Sequence, residues 1–174
     1  MKGMIYTMVI VSVCVSVYSA GCNVGRSSPV YKQCDSQWGS NQLGSSSTIC
    51  KVGCLMCSVA SALTGLGKVV NSQTPTPGVL NEMLRGNNGY QGNLYVWTAV
   101  ERYGIRYIGQ FNQASVLKQA LCDKKVVILL VNNGGHWVLA TGYEGDTFYV
   151  NDSGYNRGSY SANEVVLGGI YNLA

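Results

Sequence analysis

One histidine occurs in the 174-residue chain, His136, so proton transfer by an imidazole near neutral pH falls to it alone. It stands in Asn132-Asn133-Gly134-Gly135-His136-Trp137-Val138-Leu139-Ala140-Thr141-Gly142-Tyr143, ahead of Glu144-Gly145-Asp146 and Thr147-Phe148-Tyr149-Val150-Asn151-Asp152. Two apolar runs of strand composition around a short glycine-containing turn read as a β-hairpin that returns Asp152 toward His136. Register decides whether they meet. A three-residue loop at Glu144 to Asp146 sets Asp152 opposite Val138, on the His136 face and diagonal to it, where roughly 7–8 Å between Cα atoms suits a carboxylate and an imidazole. A two-residue Gly145-Asp146 turn puts the side chains on opposite faces unless a bulge corrects it. The three-residue loop is the expectation, because a carboxylate-held histidine is the orienting half of a nucleophile-base-orienter triad. The competing reading is a structural histidine beside a turn aspartate.

The nucleophile that would complete such a triad is Cys54. After Gly53, the apolar residues Met56, Val59, Ala60 and Leu63 follow the i, i+3, i+4, i+7 pattern of a helix that Gly65 and Gly67 stop. Cys54 therefore lies in the first turn, where unpaired N–H groups and the positive end of the helix dipole favour a thiolate. Against this stands the inertness of most buried cysteines. The chain has seven cysteines. Apart from Cys14 they are Cys22, Cys34, Cys50, Cys54, Cys57 and Cys122. An even six in an exported chain invites a full disulfide set with fifteen connectivities. A paired Cys54 would end the enzyme reading.

Residues 1–20 read as a secretory signal: a charge at Lys2, an apolar core from Ile5 to Val17, and small residues at Ser19-Ala20-Gly21. No stretch is long and apolar enough for a membrane span. Cleavage after Ala20 leaves residues 21–174, one domain with its own core, in a secreted or otherwise extracytoplasmic location. Ser19-Ala20-Gly21-Cys22 faintly resembles a bacterial lipoprotein box, with serine where a leucine-like residue belongs. The formal charge of +4 includes Lys2 and is scattered without a basic run, which excludes a nucleic-acid footprint. The one sequon, Asn151-Asp152-Ser153, overlaps the candidate site and is expected to be unused.

The elements that must position these residues follow in order. Residues 21–48 read as a long ordered loop with a short Pro29 to Gln33 piece. Thr76-Pro77 starts a helix with Val79, Leu80, Met83 and Leu84 buried and Gly86 at its end. A helix from Leu94 to Tyr103 closes at Gly104, ahead of a strand from Ile105 to Ile108. A further helix spans Ala114 to Leu121 with Val116, Leu117, Ala120 and Leu121 inward. Val126 to Val131 is a strand buried on both faces, Ser161 to Glu164 has capping-box spacing, and Ile170-Tyr171 adds a last strand. Helices first and a mostly antiparallel sheet second make an α+β arrangement.

With these residues in hand, the chain resembles the papain-like fold, and within it the C39-like peptidases. The resemblance rests on Tyr31-Lys32-Gln33-Cys34-Asp35 with Trp38, on Thr48 to Cys54 entering a helix, and on Thr76-Pro77-Gly78 before a leucine-rich helix. It rests also on Gly135 to Ala140 with Gly142-Tyr143 and on Val150-Asn151-Asp152, so it covers nearly all of residues 21–174. It implies a cysteine peptidase in which Cys54 is the nucleophile, His136 its base and Asp152 the orienting group. Gln33 would support the oxyanion hole. It implies no metal or organic cofactor, a peptide or protein substrate, and a monomer. Cys57 departs from the pattern, where a small or apolar residue is expected, and a Cys54–Cys57 disulfide would disable the nucleophile. Cys34 with Cys50 is the expected bridge, since both flank one loop, which leaves one of Cys22, Cys57 and Cys122 free or crosslinked to another molecule.

Three other readings remain. Cys54-Leu55-Met56-Cys57 would suit thiol-disulfide exchange, although no strand leads into it and His136 and Asp152 would be idle. A binding module would keep the fold with Cys54 locked in a disulfide. Zinc held by Cys50, Cys54, Cys57 and His136 matches no standard spacing. A substrate cleft should lie between the Cys54 helix and the His136 sheet, walled by Trp137, Tyr31 and the loop of residues 86–92, with Trp137 and Tyr31 as ordinary core aromatics otherwise.

Overall fold

The structure is a computed structural model that describes residues 21–174; the leader read at residues 1–20 lies outside them. It is α+β, with a mostly antiparallel sheet, as expected. The elements run β1 (Gly21–Asn23), β2 (Gln42–Leu43), β3 (Ser47–Thr48), α1 (Ile49–Val52), α2 (Cys54–Gly65) and α3 (Pro77–Gly86). The small hairpin β4 (Tyr90–Gln91) and β5 (Leu94–Tyr95) comes next, then a 3-10 helix at Trp97–Tyr103, β6 (Ile105–Phe111) and α4 (Ala114–Cys122). The chain ends with β7 (Val126–Val131), β8 (His136–Glu144), β9 (Thr147–Asn151), β10 (Ser159–Ser161) and β11 (Leu167–Leu173).

The main sheet has the order β10-β9-β8-β7-β11-β6, with β1 also paired to β8. Every pairing in it is antiparallel. β7 borders the His136–Ala140 half of β8, and β1 takes the Gly142–Glu144 half. Side chains of β7 alternate between two cores, which is what a continuous apolar strand requires. Val126 and Ile128 join the core built with α2 and α3, which also holds Met56, Val59, Leu63, Leu80 and Leu84. Val127, Leu129 and Val131 face Leu117, Ala120 and Leu121 of α4.

Several expectations need correction. The 21–48 segment is not all loop: β1 pairs with β8, three residues being too few to show a period. The predicted Leu94–Tyr103 helix begins only at Trp97, because Leu94 and Tyr95 turn back on Gln91 and Tyr90 across Gly92, which has φ +64°. On α4, Val116 faces outward at 37 % exposure, one position off the Leu117-Ala120-Leu121 stripe. The Thr76 hydroxyl accepts from the Val79 N–H at 3.4 Å and caps α3. Ser161 and Glu164 form a capping box on a short 3-10 turn.

The disulfides are Cys34–Cys50 and Cys22–Cys122, and both Cys54 and Cys57 are free. Cys57 is thus the odd thiol. The bond to Cys122 uses the Cys22 sulfur that lipidation would need. Among the described residues no helix is long and apolar enough to cross a membrane.

Candidate active site

Cys54 is the first residue of α2 because of Gly53. The Gly53 N–H closes α1 on the Ile49 carbonyl at 2.8 Å, and its own carbonyl accepts from Cys57 N at 2.8 Å. A Cβ here would stand 2.4 Å from that Ile49 oxygen, so only glycine fits the break between the helices. The break leaves the Cys54 thiol partly exposed at a helix start, where the first amides lack helical partners.

Gln33 is tied to the same place from the other side. The Cys34–Cys50 bridge draws the two Cα atoms to 4.2 Å, and Gln33 Nε2 donates to the Cys50 carbonyl at 2.6 Å. One N–H of that amide remains for another acceptor. The Gln33 backbone N–H donates to the Ser153 carbonyl at 2.9 Å. In return the Ser153 hydroxyl lies 3.4 Å from Gln33 Oε1 and 3.5 Å from the Cys54 carbonyl. Lys32 Nζ spans the carbonyls of Asp152 and Tyr155 at 2.9 and 2.6 Å. The segment beside Asp152 is therefore laced to the segment holding Gln33.

His136 opens β8 and Asp152 follows β9. The turn between the strands has two residues, Gly145 and Asp146, with Glu144 paired to Thr147. This corrects the expected three-residue loop. The faces still match, because the register shifts between Ala140 and Gly142, leaving Thr141 as an extra residue on β8. Beyond this bulge Leu139 pairs with Asn151, which sets Asp152 against Val138 and on the His136 side. The Val24 N–H donates to the Thr141 carbonyl at 3.0 Å, so the segment continuing β1 satisfies the bulged residue.

His136 Nε2 lies 2.7 Å from Asp152 Oδ1 in a buried pair. The same oxygen accepts the N–H groups of Gly154 and Tyr155 at 2.8 and 2.9 Å, and Oδ2 accepts the Tyr160 hydroxyl at 2.7 Å. Burial opposes the Asp152 charge, but His136, the two backbone N–H groups and Tyr160 outweigh it, holding the carboxyl below the usual range. Burial likewise opposes an imidazolium at His136. Hydrogen bonds and charge from Asp152 and from the Cys54 side chain prevail, and its pKa is pushed up to about 9. The ring thus bridges Asp152 and Cys54, with the Tyr155 ring edge-on 5.0 Å away.

Tyr160 was not foreseen. It comes from β10, is buried, and carries the Arg157 guanidinium 3.8 Å from its ring centroid. Arg157 Nη2 donates to both carboxylate oxygens of Glu164, at 2.7 and 2.6 Å. The sequon does not offer its nitrogen: Asn151 Nδ2 donates to the Ser28 carbonyl at 2.8 Å.

A cleft of about 320 Å³ opens beside Cys54, bounded by Leu43, Leu55, Tyr90, Leu94, Trp137 and the Gly134-Gly135 backbone. Trp137 is a wall residue as expected, and Tyr90 comes from the expected loop. Tyr31 is not; it packs edge-on against Trp38 with its hydroxyl 3.3 Å from that of Thr64. The zinc reading loses Cys50 to its disulfide, and among the described residues no cluster of His, Cys, Asp or Glu is arranged to hold a metal ion.

The structure thus brings Cys54, His136, Asp152 and Gln33 to one end of α2. Comparison with curated proteins and with solved structures gives no match. The model of the Peptidase_C39 like family matches residues 28–169, which hold all four of these side chains. Over that span, the greater part of the sequence, the chain belongs to the Peptidase_C39 like family.

Proposed function

We propose that this protein is an exported cysteine peptidase that hydrolyses peptide or amide bonds through Cys54, His136 and Asp152, with Gln33 at the oxyanion. The observation that carries the reading is the ring of His136, held by buried Asp152 at 2.7 Å and near enough to the free Cys54 thiol at a helix start for that side chain to help raise its pKa. Two disulfides support an oxidising, extracytoplasmic location for the domain of residues 21–174.

The chemistry follows from the geometry. His136 takes the Cys54 proton, and the imidazolium is stabilised by Asp152, which also fixes the ring tautomer. The thiolate attacks the scissile carbonyl carbon from the mouth of the cleft. The oxyanion is then met by the Cys54 backbone N–H and the spare N–H of Gln33; such a donor is typically worth about 10²–10³ in rate. His136 returns its proton to the leaving amine, and water, deprotonated by the same ring, hydrolyses the thioester. Free Cys54 removes the ground for a module locked by a disulfide.

The test is turnover of an internally quenched peptide library by the reduced protein and by Cys54→Ala. Hydrolysis by the parent alone is expected. Turnover by Cys54→Ala would remove Cys54 as the nucleophile, and a parent inert toward every peptide would reject the peptidase reading.

A further inference from the structure

The mechanism leaves one nucleophilic side chain beside the site without a role: Cys57, free and 0 % exposed, three residues after Cys54 on α2. Residues three apart lie on the same side of a helix, with Cβ atoms roughly 5–6 Å apart. A disulfide needs about 3.5–4.5 Å between Cβ atoms, so closure asks for a modest tightening of one turn. That turn is the one best able to tighten, since it is the first of α2 and follows the Gly53 break. The two thiols differ as an attacking and a resolving pair must. Cys54 is partly exposed and open to a solute, whereas Cys57 is sealed in the core with Met56, Val59 and Ala60. Burial, with the nearby Cys54 charge, pushes the Cys57 thiol far up, so it stays protonated and does not compete for substrate. Among the described residues, the free thiol that a solute meets is that of the proposed nucleophile, Cys54.

We infer that Cys57 is a resolving cysteine that carries oxidised Cys54 into a reversible intrahelical disulfide, making the site a redox-controlled one. The inference rests on the reading of Cys54 as the reactive thiol. The oxidant is a peroxide. The Cys54 thiolate attacks one peroxide oxygen, the O–O bond breaks, hydroxide or alkoxide leaves, and sulfur gives up two electrons to become the sulfenic acid. The Cys57 sulfur then attacks Cys54 Sγ, its proton leaves with the sulfenic hydroxyl as water, and the S–S bond forms. A small dithiol restores both thiols by exchange and takes the two electrons' worth of oxidation as its own disulfide. Without Cys57 the sulfenic acid would continue to the sulfinic acid, which a thiol does not reverse.

The experiment treats the purified protein with hydrogen peroxide, denatures it in iodoacetamide, and maps the cysteines by peptide mass spectrometry without reduction. The expected product is a peptide carrying Cys54 and Cys57 two hydrogens lighter and unalkylated, which dithiothreitol returns to two alkylatable thiols. Cys57→Ser and Cys57→Ala, two small replacements at the buried position, are expected to end with Cys54 as sulfinic acid under the same dose. In the parent, peptide turnover is expected to fall with oxidation and return with dithiothreitol; in both variants the loss persists. Cys57 recovered as an alkylated thiol beside sulfinic Cys54 in the parent would overturn the inference. The mass map does not depend on turnover, so an inert but disulfide-forming protein would reject the peptidase reading and leave the redox pair standing.

Discussion

His136 and Asp152 share a face of the sheet because Thr141, a single residue between them, is left out of register. The pair it creates is buried and bonded at 2.7 Å, which makes its titration a handle on the whole site. In Asp152→Asn the imidazolium loses its counter-charge, so the His136 pKa falls from about 9 toward the usual ~6.5 of a histidine. Peptidase activity in the parent should decline as pH rises through about 9, and this alkaline limb should move to lower pH in the variant. His136→Ala should cost on the order of 10²–10⁴ in rate, and Asp152→Asn less. pH profiles of kcat/KM for the three proteins decide this; an unmoved limb would detach Asp152 from the titration of His136.

The same shifts fix the sign of the stability dependence. A histidine whose folded pKa is raised contributes stability that is complete below its unfolded value and lost as pH climbs through about 9. Asp152 is shifted down, so its contribution is present above the ordinary carboxylate range and lost as pH falls through its depressed folded value. Thermal melts of the parent and Asp152→Asn should therefore converge in strong acid.

Tyr160 donates its hydroxyl to Asp152 Oδ2 at 2.7 Å. Tyr160→Phe leaves the ring under Arg157 but removes the hydroxyl, which should cost ~1.5–3 kcal/mol for a buried hydrogen bond to a charged group. Urea titration measures this. A loss well below that range would mean that Oδ2 finds water or another donor.

Gly154 has no room for a side chain on the site's inner side. A Cβ would stand 2.7 Å from His136 Cε1 and 3.2 Å from Nε2, and the ring cannot retreat without leaving Asp152. Gly154→Ala should lower kcat on the order of 10² by displacing the base about 1 Å, and thermal stability should fall with it, because the buried His136–Asp152 pair is loosened. Near-parental kcat would show that the ring has slack.

The two disulfides should separate stability from chemistry. By the loop-entropy relation, the 100-residue span of Cys22–Cys122 is worth at most about 4.7 kcal/mol and a span near 15 residues, like that of Cys34–Cys50, about 3 kcal/mol. Replacing the first pair by alanines should give the larger drop in melting temperature. Replacing the second should give the larger drop in turnover, because that bridge holds Gln33 against Cys50.

The helical half of this arrangement is legible in the sequence because apolar spacing and the Gly53 break mark α2 and the place of Cys54 on it. The hairpin is legible too, but its register is not: Thr141 looks like any strand residue, and only pairing on both sides of β8 reveals it as surplus. Tyr160 escapes for another reason. It reaches Asp152 from beyond the irregular Ser153–Gly158 segment, where no period links it to the site. Gln33 becomes a candidate only through family resemblance, since one polar side chain in a loop has no pattern of its own. The pairing of Cys22 with Cys122 depends on β1, three residues that carry no signal until β8 exists to receive them.

That pairing also orders events in time. Gly21–Asn23 is made early during synthesis, yet its partner, Gly142–Glu144, emerges some 120 residues later, and contacts so distant along the chain form slowly. Cys54 and Gln33 leave the ribosome long before His136 and Asp152. On the proposed reading, the nascent chain therefore carries its thiol without its base and carboxylate until β8 and β9 dock.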